Sequence, residues 1–267
     1  MTDYRYPNER LILALTVLLV LGVIAFTAAA TLCGSLLFVA TMVGLAYFLN
    51  RAHHDELVRR AQPVTAASLP GLEALVRETA ERLDVSRTVT YVAPGRALNA
   101  YTFGLTDPRV IVLSAGLLPV MDRDELQFIL GHEMGHVRLG HTWLNSLLGG
   151  MAGIPSPFGA AVILYFAFRW WNRACEFSAD RAGLLACRRP DKAVSALVKL
   201  ATGGAARTAR GQQQARLQLE KEADDLGEVV GELLSTHPLI ARRLAELRKY
   251  AASDEYRRKV ELPGRSS

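Results

Sequence analysis

His132-Glu133-Met134-Gly135-His136 is the stretch on which the reading of this chain turns. It is an H-E-x-x-H pentapeptide inside a strongly helical segment. On a helix, positions i and i+4 share a face, so His132 and His136 can direct nitrogens at one metal. Glu133 sits one step round the helix, beside that metal, where a carboxylate can take a proton from a water the metal activates. The flanking residues predict the helix on their own. Asp122 suits a helix cap, and Glu125 follows three residues later, a capping-box pattern. Leu126, Phe128, Ile129 and Leu130 then supply an apolar side.

A catalytic zinc usually takes three protein ligands and leaves a fourth position open. The best candidate for the third is Glu176, in Cys175-Glu176-Phe177-Ser178-Ala179-Asp180-Arg181. This segment also reads as a helix, and Glu176 and Asp180 are again i and i+4. With Glu176 as ligand, Asp180 lies one turn along, placed to accept the remaining N–H of a metal-binding histidine and fix its tautomer. A structural zinc site would need a fourth protein ligand. His141 is the nearest candidate, but at i+5 from His136 on a continuous helix it points well round.

His132 to His136 followed by Glu176-x-x-x-Asp180 resembles the membrane-associated zinc metallopeptidases of the HtpX and CAAX-prenyl-protease type. Asn99-Ala100-Tyr101, ahead of the strand-like Val110-Ile111-Val112-Leu113 and then Ser114-Ala115-Gly116-Leu117-Leu118, is similar to the edge-strand region of that family. Ser235-Thr236-His237-Pro238, with Arg243 six residues after the histidine, resembles its T-H-P-x-x-x-x-R motif. The matches run in the family's order from about residue 65 to residue 250.

The resemblance implies a zinc endopeptidase with a gluzincin-like catalytic domain. His132, His136 and Glu176 would hold one zinc ion per chain, and Glu133 would be the general base. Asn99, Ala100 and Tyr101 would hold a polypeptide substrate as an added strand. His237 and Arg243 would approach the oxyanion. An HtpX-like role would be membrane-protein quality control. The alternative is a non-proteolytic membrane scaffold that keeps the fold. HtpX-like chains carry two clear membrane helices between the second histidine and the glutamate. Here that segment is shorter and broken by Pro155 and Pro157, and a polar stretch from Gln212 to Asp225 precedes the T-H-P motif.

Composition places the enzyme at a membrane. The chain has 267 residues, 50% of them hydrophobic. Leu11 to Asn50 contains no charged residue. That is too long for the roughly 7–15-residue apolar core of a signal peptide. One helix across it would be about 60 Å long, twice a bilayer core, so two spans of about 18–20 residues with a turn near Thr27 to Gly34 fit better. Arg5 and Arg10 flank one end, and Arg51, Arg59 and Arg60 the other. A hairpin puts both basic flanks on the cytoplasmic side, and the catalytic domain with them. The expected location is therefore the cell (inner) membrane, multi-pass.

The second apolar run, Thr142 to Phe168, must cross the bilayer zero or two times, because a single crossing would part Glu176 from the two histidines. A re-entrant or interfacial hairpin is expected, with Trp143, Trp170 and Trp171 near the headgroups. His53 and His54 read as interfacial residues. The net charge of +5 is scattered and suits an anionic leaflet. No nucleic-acid-binding pattern appears, which excludes that class of partner. Cys33, Cys175 and Cys187 form no disulfide framework.

The expected fold is α+β and mostly helical, with a small sheet whose edge borders the metal helix, plus an N-terminal transmembrane helical hairpin. The divisions are 1–50 for the hairpin anchor, 51–64 for a juxtamembrane linker helix, 65–252 for the peptidase domain and 253–267 for a charged tail, its last dozen residues frayed. Within the domain, a helix from Ser68 to Leu83 leads into strands at 88–92, 99–103 and 110–113. Helices are expected over 122–149, 158–188, 190–202, 212–234 and 239–250.

Overall fold

The computed structural model describes residues 5–30, 34–86, 88–104, 107–142, 159–203, 211 and 240–261. His237 with its T-H-P motif, the 212–234 helix, Cys33, Trp143 and residues 143–158 of the second apolar run lie outside them.

Two helices open the chain, α1 (Glu9–Ala30) and α2 (Gly34–Arg60). Residues 31–33, inside the stretch expected to turn, lie outside the described residues. Among the described residues, α1 is the one helix long and apolar enough to cross a membrane. Leu11, Leu18, Leu21 and Phe26 are each more than half exposed along it. A row of bare apolar side chains of this size calls for a lipid or protein neighbour. The helix α2 runs unbroken to Arg60, so the boundary expected between residues 50 and 51 falls inside one rigid element.

The sheet has four strands in the order β1-β2-β4-β3: β1 (Gln62–Pro63), β2 (Thr88–Ala93), β3 (Ala100–Phe103) and β4 (Arg109–Ser114). The central pair β2 and β4 is parallel, and both outer pairs are antiparallel. Ile111, Val112 and Leu113 of β4 are wholly buried, the continuous apolar run of a strand covered on both faces. On the edge strand β3, Ala100 pairs with Leu113 and Phe103 with Val110. The strand β1 was not expected. It arises in the linker, is two residues long, and ends on Pro63, which an edge position tolerates.

Helix α3 (Pro70–Leu83) carries its proline in the first turn. Helix α4 (Arg123–Leu139) bears the H-E-x-x-H motif and starts with the expected capping box. The Glu125 amide donates to Asp122 Oδ1 at 3.0 Å, and the Asp122 amide to Glu125 Oε2 at 2.8 Å. Its end differs from the expected 122–149. Gly140 takes a left-handed conformation at φ 77° and caps the helix.

Helix α5 (Gly159–Cys187) packs along α4. A Cβ at Gly131 would lie 2.5 Å from Ala186 Cβ, and one at Gly135 would lie 2.6 Å from Ala182 Cβ. Both distances are far inside van der Waals contact, so these glycines set how near the two backbones come. Helices α6 (Pro190–Ala201) and α7 (Ile240–Ala251) close the core around Phe128, Leu130, Met134, Leu184, Leu197 and Leu244. The first part of the expected tail forms α8 (Asp254–Glu261), anchored by buried Tyr256 against Tyr250 at 5.7 Å between ring centroids, so residues 256–261 are helical rather than frayed.

Two aromatic expectations change. Trp171 is buried with Cys175 against Ile12 and Leu13 of α1 rather than facing headgroups, while Trp170 is exposed. His54 stacks on Phe103 of β3 at 3.9 Å between centroids, because α2 extends far enough to reach the sheet edge.

Candidate metal centre

The i, i+4 spacing on α4 places His132 Nε2 and His136 Nε2 3.3 Å apart. Across the close α4–α5 contact, Glu176 sets Oε2 3.6 Å from His132 Nε2 and Oε1 3.5 Å from His136 Nε2. One donor atom from each of the three residues lies within 4.8 Å of the others.

The outer nitrogen of each histidine is also engaged. His132 Nδ1 is 3.0 Å from Asp180 Oδ1. An ionised carboxylate only accepts, so His132 carries its proton on Nδ1 and presents a lone pair at Nε2. His136 Nδ1 is 3.0 Å from His141 Nδ1. His141 was expected to point well round a continuous helix; instead the Gly140 cap ends α4, and His141 lies beside His136. Burial pushes the His141 imidazole down to about 4. Two ring nitrogens with facing lone pairs and a carboxylate fit a divalent transition metal, since they would repel one another without a cation between them.

Arg243 was expected at the oxyanion. Its guanidinium lies behind the ligands, 7% exposed. It donates from Nε to Asp180 Oδ2 at 2.8 Å and from Nη2 to Asp180 Oδ1 at 2.6 Å, while Nη1 lies 3.2 Å from Glu176 Oε2. Burial alone would raise the Glu176 carboxyl, but Arg243 and the two histidines hold it well below the usual carboxylate range. The same balance of burial against Arg243 and His132 lowers Asp180.

Glu133 is buried beside the pair and accepts a hydrogen bond from Thr102 Oγ1 at 2.7 Å. Thr102 was not among the candidates. The two-residue alternation of β3 sends Ala100 and Thr102 to one face and Tyr101 and Phe103 to the other, where they meet His54. Asn99 precedes the strand and pairs with Ser114 through both backbone groups, accepting from its amide at 2.9 Å and donating to its Oγ at 3.1 Å. Asn99, Ala100 and Tyr101 thus lie along the sheet edge next to α4.

The family model described as Peptidase family M48 matches residues 67–251. The chain belongs to peptidase family M48. M48 proteins are metallopeptidases, which agrees with the donor set. Among M48 relatives, a "Protease HtpX homolog" of Moorella thermoacetica is 28% identical over 268 residues, covering 84% of this chain and 86% of that one. The "Plastoglobule-localized metallopeptidase 48, chloroplastic" of Arabidopsis thaliana is 30% identical over 220 residues, covering 76% of this chain and 63% of that one. The crystal structure of S. mikatae Ste24p aligns over 88% of this chain and 61% of that one at 19% identity, with a TM-score of 0.45, too distant to argue from. The M48 match takes in every residue of the centre from Thr102 to Arg243, and it leaves α1 and α2 outside.

Proposed function

We propose that this M48 chain is a membrane-anchored, zinc-dependent endopeptidase. The observation that carries the proposal is the convergence of His132 Nε2, His136 Nε2 and a Glu176 oxygen, with both outer histidine nitrogens already engaged. Two histidines and a glutamate are a gluzincin-like ligand set, and they leave a position open. Zinc, when bound, supplies a Lewis acid for the scissile carbonyl and makes a water acidic enough to attack near neutral pH.

The chain's own residues do the rest. Glu133 takes the proton of the attacking water and returns it to the leaving amine. Thr102 holds that carboxylate in place between turnovers. The edge of β3, from Asn99 to Tyr101, receives substrate backbone as an added strand. His237 stabilises the oxyanion, and Arg243 orients Glu176 and Asp180 from behind. The domain is residues 65–252, with 142–168 as its membrane-associated part, and α1 and α2 form a transmembrane hairpin with both ends in the cytoplasm. The HtpX names of several relatives favour membrane-protein quality control as the role.

Detergent-purified protein should contain about one zinc per chain and cleave casein. Chelation should remove both properties, and added zinc should restore them. Cleavage that persists after metal is stripped would exclude the metal mechanism, and a zinc-replete protein that cleaves no polypeptide would favour the scaffold. In inside-out vesicles, added protease should cut near Arg60; cutting there only in right-side-out vesicles would reverse the proposed orientation.

A further inference from the structure

The residues ahead of α1 are tied to the metal centre, although nothing in the H-E-x-x-H region points to them. Arg5 Nη2 donates to the Leu139 carbonyl at 2.9 Å, at the end of α4. The Tyr6 amide donates to Ser178 Oγ at 2.9 Å, and the Tyr6 ring packs on Phe177 at 5.0 Å between centroids. Arg181 Nη1 donates to the Arg5 carbonyl at 3.1 Å. These contacts bring Glu9, the first residue of α1, to a site where it is 2% exposed. There one carboxylate oxygen lies 3.1 Å from His141 Nε2, and the other accepts from the Ser178 hydroxyl. His141 is 1% exposed, with its other nitrogen on His136.

We infer that Glu9 and His141 are positioning residues for the metal centre, a buried carboxylate–imidazole relay that sets the tautomer and ring orientation of His136. The inference rests on His136 being a metal ligand. A His136 that ligates through Nε2 carries its one N–H on Nδ1, facing His141 Nδ1 at 3.0 Å, so the His141 nitrogen accepts. The His141 N–H is then on Nε2, 3.1 Å from Glu9, whose carboxylate accepts. Without the carboxylate, His141 is free to carry its proton on Nδ1, opposing the His136 N–H and favouring the tautomer that cannot ligate. Asp180 does the corresponding work for His132 directly. For His136 the carboxylate acts through a second imidazole, His141, which lies 132 residues from Glu9. The consequence is that the apolar N-terminal helix is part of the centre as well as an anchor.

The test compares zinc affinity, by competition with a chromogenic chelator, in full-length Glu9→Met, Glu9→Gln and His136→Ala. Methionine keeps the size of Glu9 but cannot accept from His141 Nε2–H, whereas the glutamine carbonyl can. The expected result is a loss of about 10- to 100-fold for Glu9→Met, the usual range for an outer partner of a metal histidine, and less than about threefold for Glu9→Gln. Unchanged affinity in Glu9→Met, or equal losses in both Glu9 variants, would overturn the relay. His136→Ala separates the two readings: if it keeps wild-type zinc affinity, the ligand assignment itself fails, and if it loses zinc while Glu9→Met does not, only the relay fails. Should Glu9→Met not fold, nitrogen NMR of the wild type labelled at its six histidines decides. Protons on His141 Nε2 and His136 Nδ1 support the relay, and a proton on His141 Nδ1 excludes it.

Discussion

Glu133→Gln keeps its metal and loses peptide hydrolysis. Glu133 is outside the group of donor atoms formed by His132, His136 and Glu176, so an amide in its place leaves the ligand set whole. The amide oxygen can still accept from Thr102 Oγ1, which now approaches at 2.7 Å, so the side chain stays where it is. What disappears is the basic oxygen proposed to accept the proton of the attacking water. General-base catalysis typically contributes about 100- to 10,000-fold, and a loss of that order in kcat is expected. Because the edge of β3 proposed to receive substrate is untouched, KM should change little. The check pairs metal analysis with single-substrate kinetics on the same preparations. Turnover within tenfold of wild type would remove Glu133 from the proton transfer. Loss of zinc alongside activity would mean that its carboxylate also holds the metal.

Local spacing accounts for what was legible beforehand. His132 and His136 share a face because a helix repeats every 3.6 residues, and Asp122 with Glu125 announces where that helix begins. Glu176 and Asp180 follow the same rule on α5, which is why one faces the metal position and the other reaches His132 Nδ1. The failures come from tertiary contacts with no local pattern. His141 was set aside as a fourth ligand and is outside the donor group, but its place beside His136 escaped notice because a left-handed glycine at position 140 ends the helix. Glu9 sits 132 residues from its partner, at the mouth of an apolar run, where its charge reads only as a boundary. Gly131 and Gly135 look like weak points in a helix until the nearness of Ala186 and Ala182 explains them. Thr102 is one of several threonines, and only the pairing of β3 with β4 beside α4 singles it out. The tail was read from charge, whereas Tyr256 supplies the apolar contact that orders α8.

Arg243→Met destabilises the fold as well as the site. The guanidinium makes a two-pronged contact to Asp180, at 2.8 and 2.6 Å, and a third contact to Glu176 at 3.2 Å. Methionine fills much of the same space and removes the charge, leaving the buried Asp180 carboxylate and the partly buried Glu176 carboxylate one turn apart on α5. Breaking a buried ion pair from one side costs roughly 3–5 kcal/mol, because the remaining charge has neither water nor a partner. For a domain of this size that corresponds to a fall in Tm of roughly 6–20 °C. The fall should be largest in metal-free protein, since bound metal offsets part of the charge on Glu176. Arg243→Lys separates charge from shape. A lysine restores one positive charge but not the planar fork, so Asp180 loses its fixed orientation and His132 loses a firmly held outer partner. Its Tm should recover most of the loss while zinc affinity stays below wild type. Melting of the metal-free proteins, followed by zinc competition, reads both effects. A metal-free Arg243→Met that melts with wild type would show that Asp180 and Glu176 are neutralised by something other than this arginine.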